Sequence, residues 1–412
     1  MPAKSFYRLR GGHAAIVAAL ALAAAPAPGA PITEAEAVDR ALAQPEFTAL
    51  GEANREEAQA RIRGIRRFDN PEASLSREQV SGSGRSETEW QAGVTQPVDL
   101  SGRRSALRAA ARAEAAAVDA DIARRRQERS AEVRRAFAGC AAATEKVRVS
   151  SAFVGRLHEA ERIVTARTRA GDTAGYDLRR LRVEARTAEA QGQLAAGEVA
   201  AECAALSRLS GEPDARPAEP IAAIALRATP TSPPETRPDI VAREQRVLAA
   251  SQQVRAAQRA RLPEIGVGLG YKRVTADEGS AGGPAISLGA RIPLFDRGGA
   301  AIAEARARQR AREAELGLAR REAEAAVAVA EARTDAAIAA ARAAQAAAGD
   351  AARLGPIAEA AYEGGESGVV ELVDAYRTAR DAELEIIDLL ERAARARIDL
   401  ELAQGSAQNA GL

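Results

Sequence analysis

The chain has 412 residues, enough for two or three ordinary domains, yet only 3% are aromatic, with one Trp and one Met. Its 58 basic and 57 acidic residues are interleaved for a formal charge of +1, which gives no basic face for nucleic acid and reads as solvated helix faces. Long Ala/Arg/Glu/Leu tracts predict long helices in coiled-coil contact and exclude an ordinary globular core.

The N-terminus comes first. Lys4, Arg8 and Arg10 precede a short apolar run at 14–25, and Ala27-Pro28-Gly29 before Ala30 makes a cleavage site. This pattern predicts a secretory signal peptide over 1–29, since the run is too short to span a bilayer as a helix. Its removal takes away three positive charges and no acid, moving the net charge from +1 to −2. No Cys stands at the cleavage site to carry a lipid, and no later stretch reads as a transmembrane helix.

The remaining residues, 30–412, read as one unit built from two repeats, about 33–211 and 237–405, joined by a Pro-rich linker at 212–236. Asn70-Pro71-Glu72 recurs as Leu262-Pro263-Glu264, Gln96-Pro97-Val98 as Ile292-Pro293-Leu294, and Leu206–Gly211 as Leu400–Gly405. Punctuation kept in order and spacing is the mark of duplication. Each repeat holds a helix of moderate length (about 33–68 and 237–262), two strand-like runs, a very long helix (about 103–168 and 299–363), a Gly-containing turn and a return helix (about 175–210 and 369–404).

The strand-like runs alternate with period two. Ile265, Val267, Leu269 and Tyr271 oppose Gly266, Gly268, Gly270 and Lys272; Thr88, Trp90, Ala92 and Val94 oppose Glu87, Glu89, Gln91 and Gly93; Ile286, Leu288 and Ala290 continue the pattern. The run at 71–80 is weaker. Joined by polar loops at 81–86 and 275–284, such runs fit either barrel hairpins of a membrane or surface hairpins of a soluble domain. Four strands cannot close a barrel, and open edges are not tolerated in lipid. Membrane insertion would therefore require several chains to share one barrel. Pro97, Gly102, Pro293 and Gly298 punctuate the change from strand to helix.

The helix over 299–363 spans about 100 Å at ~1.5 Å per residue, so it must pack along its length. In the return helix Leu372, Tyr376, Ala379, Ile386, Leu390, Ala393 and Leu400 form a heptad seam, with Glu383 and Arg397 as polar interruptions. The long helices use Ala at such positions, which lets them tile closely into a wall. Cys140 and Cys203 are equidistant from the turn at 171–172, so equal rise along the two arms sets them side by side. In an oxidising compartment this predicts a disulfide; two buried free thiols are the alternative.

Catalysis has little support: outside the signal peptide His158 is the single His, and no phosphate loop or CxxC is present. No cofactor or metal site is expected. The turns concentrate acids instead, with Asp172 and Asp177 in one and Glu366, Glu371 and Asp374 in the other. Glu371 and Asp374 share a helix face.

Taken in order, Arg237-Pro238-Asp239-Ile240, Leu262-Pro263, Ile292-Pro293-Leu294-Phe295-Asp296 with Gly298, and Tyr362 with Gly365, Glu371-Leu372 and Ala375 resemble the TolC-like outer-membrane factors of Gram-negative bacteria. Asn70-Pro71-Glu72 and Pro97–Arg104 look most like the heavy-metal cation-efflux (CzcC-like) branch. The resemblance implies a mostly α fold with a membrane β-hairpin part, forming a homotrimeric channel with four strands per chain in a twelve-stranded barrel. It also implies a helical tunnel across the periplasm with a closing tip, outer-membrane lipid around the barrel, a periplasmic adaptor, and an inner-membrane pump of the RND type. Asp177, Glu371 and Asp374 match acidic tip positions of the family, and Tyr362 a residue whose contacts hold the aperture closed. Under threefold symmetry each such acid becomes a ring of three that favours cations. The sequence departs from the family at Thr168, which stands where the second repeat has Tyr362, at Arg180 opposite Asp374, and at the uncharged Ser367. An exported adaptor with one long helical hairpin, or a soluble coiled-coil scaffold, is the alternative; membrane fractionation separates both from a channel.

Overall fold

The computed structural model describes residues 31–65, 68–82, 85–170, 175–227 and 237–406. The signal-peptide residues 1–29, Asp172 and residues 228–236 lie outside the described residues. A short strand, β1 (Pro31–Ile32), opens the fold. Thr33 caps α1 (Glu34–Leu42), accepting from the Glu36 N–H while the Glu36 carboxylate accepts from the Thr33 N–H. The single helix expected over 33–68 is two helices. Pro45 has no N–H to continue α1, and it takes the first position of α2 (Pro45–Gly64).

The strand-like runs are β2 (Glu72–Gly82), β3 (Arg85–Val98), β5 (Glu264–Ala276) and β6 (Gly279–Arg291). They form one antiparallel sheet in the order β2-β3-β5-β6. The weak run at 71–80 is a full strand, paired with β3 from Glu72↔Thr95 to Gly82↔Arg85. The loop expected at 275–284 is mostly ladder: β5 and β6 pair as far as Ala276↔Gly279 and leave Asp277-Glu278 as the turn. Ladder bonds come from the backbone, so a Gly-rich segment pairs without an alternating side-chain pattern.

Four long helices leave the sheet and turns: α3 (Arg103–Ala170), α4 (Gly175–Ser210), α7 (Gly299–Glu363) and α8 (Val369–Gln404), with α6 (Pro238–Arg259) leading into β5. α3 packs on α4, α6 and α8, while α7 packs on α8 and α6. Near the sheet the wall is α2, α3, α6 and α7; toward the turns it is α4, α3, α8 and α7. Many contacts use Ala, as at Ala319, Ala323, Ala330 and Ala341 of α7. Small side chains allow close approach, and much of α7 is left exposed.

Two larger apolar cores, and a small one around Ile240, Ala319 and Ala323, punctuate the wall. One lies at the waist and joins Ile32, Val38, Phe137, Leu206, Ile221, Ile224 and Leu390. It includes the described part of the linker, where β4 (Arg216–Pro217) pairs in parallel with β1 and α5 (Ile221–Ala225) is buried. The other lies near the turns and joins Phe153, Leu157, Leu181, Tyr362, Leu372 and Tyr376.

Charges are also buried at the waist. Arg134 donates to Glu34 at 2.6 Å and to Glu401 at 2.5 Å, and Glu401 also pairs with Arg397, which is 1% exposed. Burial works against the Arg134 cation, but its bonds to Glu401 and Glu34 hold its pKa above the ordinary value. Arg397 goes the other way: desolvation lowers it. Its Nε and Nη2 have no hydrogen-bond partner among the described residues. The residue expected to interrupt the seam is therefore an inward-facing part of a charge network that ties the N-terminal α1 to α3 and α8.

Candidate channel wall and tip

The sheet has two chemically distinct faces, and the register defines them. One face carries Ala73, Leu75, Trp90, Ala92, Val94, Val267, Leu269, Tyr271, Ile286 and Leu288. The other carries Ser74, Glu78, Glu89, Gln91, Thr95, Lys272 and Ser287 among many glycines, with Lys272 paired to Glu89 at 2.6 Å. Both faces are largely exposed, and Leu269, Ile286 and Leu288 are 67%, 81% and 76% exposed. An apolar face over four strands and a polar face behind it is the alternation of a barrel wall between lipid and a wet lumen. β2 and β6 pair on one side only, and a sheet with open edges and no covering layer is unstable in lipid. No helix among the described residues is long and apolar enough to cross a membrane.

The strand-to-helix turns are built alike. Pro97 stands inside β3, opposite Gly266 and beyond the last β2 pair, Glu72↔Thr95. The Asp99 carboxylate accepts from the Ser101 N–H, the Ser101 hydroxyl and the Arg104 N–H. Burial opposes its charge, but these donors hold its pKa below the usual range. Gly102 has φ 72°, and Arg259 Nη1, donating to Ser101 O at 2.6 Å, would meet any Cβ there at 2.7 Å. The positive φ favours glycine at that position, and any Cβ there would displace the Arg259 guanidinium. In the second repeat Pro293 follows β6, and Gly298 (φ 70°) donates its N–H to Asp296 before α7 begins.

At the far end the two hairpin turns carry the predicted acids. Asp177 is half-buried in the first turn of α4, and Glu366, Glu371 and Asp374 are exposed. The Glu371 carboxylate accepts from the Gly368 N–H at 3.1 Å, so it also caps α8. Arg377 of α8 grips Glu184 of α4 through two donors, Nε at 2.6 Å. Both helices run away from the turns. Seven residues back from that pair, Asp177 is therefore level with Val370 and beside Glu371. Asp177 and Glu371 thus stand at similar heights, with Asp374 about one helical turn further along α8.

Tyr362 is 5% exposed and sits inside the junction of the hairpins. Arg167 of α3 lies over its ring at 4.8 Å and donates to the carbonyls of Tyr362 and Glu363, both at 3.0 Å. The Tyr362 hydroxyl is buried with no hydrogen-bond partner among the described residues. Sequence reasoning missed Arg167, one Arg among many, whose bonds go to backbone carbonyls and leave no pattern. Nearby, Tyr376 donates to Glu359 at 2.7 Å, and burial first, then that carboxylate, raises its pKa. In the waist core, Cys140 and Cys203 form a disulfide with Cα atoms 4.8 Å apart, joining α3 to α4.

These features coincide with the comparisons. Residues 14–212 and 234–406 match the outer membrane efflux protein family, so the chain belongs to that family. It is an outer-membrane channel subunit of the efflux type that reaches into the periplasm. A membrane protein from Pseudomonas aeruginosa has the same fold, with 24% identity, TM-score 0.71, and coverage of 92% of this chain and 94% of that one. CusC matches at 20% identity and TM-score 0.72 over 92% and 93%. VceC of Vibrio cholerae matches at 21% identity and TM-score 0.69 over 90% and 96%. No curated protein matches the chain by sequence.

Proposed function

We propose that the chain acts as a homotrimeric passive duct, its four strands contributing one third of a twelve-stranded barrel and its helices one third of a tunnel. The observation that carries this reading is the sheet with two open edges and one apolar face, which a single chain leaves uncovered. A duct of this kind has no motor, so it works with a periplasmic adaptor and an inner-membrane pump, for which the RND type is the reading. The cargo reading, heavy-metal cations, rests on Asn70-Pro71-Glu72, on Pro97–Arg104 and on the likeness to CusC.

The set of acids at the turns supports a cation-favouring constriction. Asp177, Glu371 and Asp374 then each form a ring of three, with Asp172 and Glu366 as further candidates, and Tyr362 with Arg167 holds the hairpin junction. Asp374→Asn is the cleanest probe, because Glu371 also caps a helix. Purified protein should give a complex of about three times the mature mass and discrete conductance steps in a planar bilayer. Asp374→Asn should lower cation preference in the same recordings. A monomer without conductance overturns the duct; a conducting trimer with unchanged selectivity overturns the acid ring alone. Restored heavy-metal resistance in a cell lacking its own duct is the result expected for the cargo reading, and rescue of other substrates only would refute it.

A further inference from the structure

The apolar face of the sheet ends abruptly. From the row Val98–Ile265–Ala290 outward it is apolar, save for Gln96, as far as the row Leu75–Ala92–Tyr271–Pro284. The next row is Arg77–Trp90–Arg273–Gly282, and the one beyond is Gln79–Thr88–Thr275–Ser280. The helices leave the opposite end of the strands, so this row lies toward the cell exterior. Eight residues separate it from the Val98 row, about 27 Å along a strand at ~3.4 Å per residue. At a ~40° tilt that is roughly 20 Å of height, close to the ~25 Å apolar band of such barrels.

Both arginines lie on the membrane side of the wall. Arg77 lies over the Trp90 ring at 5.5 Å and donates to Gln79 at 3.1 Å. Neither Arg77 nor Arg273 has a carboxylate partner among the described residues. The acids at this height, Glu78 and Glu89, point to the other face, where Glu89 holds Lys272. In the turn Asp277 accepts from the Ser86 N–H, and Glu278 is 4.0 Å from Arg85. Two uncompensated guanidiniums at the edge of hydrocarbon are costly unless an anion meets them. A phosphate fits the donor fork of Arg, and an interfacial Trp provides an amphipathic platform at headgroup level.

We propose that Arg77 and Arg273, bracketing Trp90, form a docking surface for the phosphorylated sugar headgroup of an outer-leaflet glycolipid. This rests on the barrel reading, because the face must be turned to lipid. Three neighbouring chains would place three such surfaces around the rim.

Native mass spectrometry of the full trimer in mild detergent tests the surface. The probes are a bis-phosphorylated lipid A, its dephosphorylated form and inorganic phosphate. The wild type should retain the phosphorylated lipid. Arg77→Gln with Arg273→Gln should weaken retention about tenfold, and the paired Lys substitutions should fall between the wild type and the Gln variants, since the charge is kept but the donor fork is lost. Lys272→Gln, on the lumen face, should leave retention unchanged. Should the double variant fail to assemble, Arg273→Gln alone should give a loss of about threefold. Equal retention by the Gln variants, equal binding of the dephosphorylated lipid, or displacement by inorganic phosphate would each overturn the proposal. Conductance is read on the same samples. Lost lipid with intact channels supports this surface, while lost channels in the wild type would instead defeat the barrel reading.

Discussion

The sheet and the waist solve opposite problems. Most sheet residues are exposed, and large apolar side chains such as Leu269 and Ile286 stand open. At the waist Phe137, Ile224 and Leu206 are fully buried, and even Glu34, Arg397 and Glu401 are shielded. The waist is where one chain completes its own core. On the proposed duct reading, the sheet is completed by other copies and by lipid. Substitutions at the waist should therefore be felt within the chain, and substitutions in the sheet through membrane and assembly.

The largest effect is expected at Glu401. Glu401→Gln leaves Arg397 facing a neutral partner and Arg134 with Glu34 as its one close carboxylate, and breaking a buried pair costs about 3–5 kcal/mol. Denaturant unfolding should show the loss, and a shift under about 1 kcal/mol would mean that the network is hydrated. Replacing Cys140 and Cys203 together by Ala should cost about 4 kcal/mol from the chain-entropy model of a loop this long. The same change should be reproduced by reductant in the wild type, and two alkylatable thiols in unreduced protein would contradict the bond.

Within the sheet the two faces should respond differently. Leu269→Arg, on the apolar face, should destabilise the inserted barrel by about 2–4 kcal/mol if it sits near the bilayer midplane. Ser287→Arg, on the polar face, should leave insertion intact and alter conductance. Heat-modifiability on gels reads the first and bilayer recordings the second; equal behaviour of the two variants would erase the distinction between faces. The smallest effect is expected at Thr33. Thr33→Ala removes the α1 cap and should cost about 1 kcal/mol, measured by the same unfolding.

The legible parts of this molecule are those written as local period. The alternation at 265–271 and 88–94 marked strands, and the Ala-rich tracts marked the long helices, because each residue's face follows from its spacing. Pro45 was legible in principle, since a proline at a first helical position announces a new helix, but an uninterrupted Ala/Glu pattern concealed the break. The waist network was not legible. Glu34, Arg134 and the i,i+4 pair Arg397–Glu401 are far apart in sequence, and in a chain so rich in Arg and Glu each looks like one more solvated charge. The Arg77–Trp90–Arg273 row needed the strand register, which no single run contains. At the tip the acids were visible as residue types, but Glu371 as a cap and Arg167 as a carbonyl clamp depend on backbone positions.

The central claim is that the open edges of this sheet meet those of other copies. Cysteine scanning tests it directly: Cys at Ser76 in β2 combined, in turn, with Cys at Ala281, Gly283 or Ser287 in β6, all on the polar face, oxidised in intact outer membranes. One combination should yield a covalent ladder ending at a closed trimer of twelve strands. A ladder that closes at two chains, or no crosslink at any register, would contradict the shared barrel.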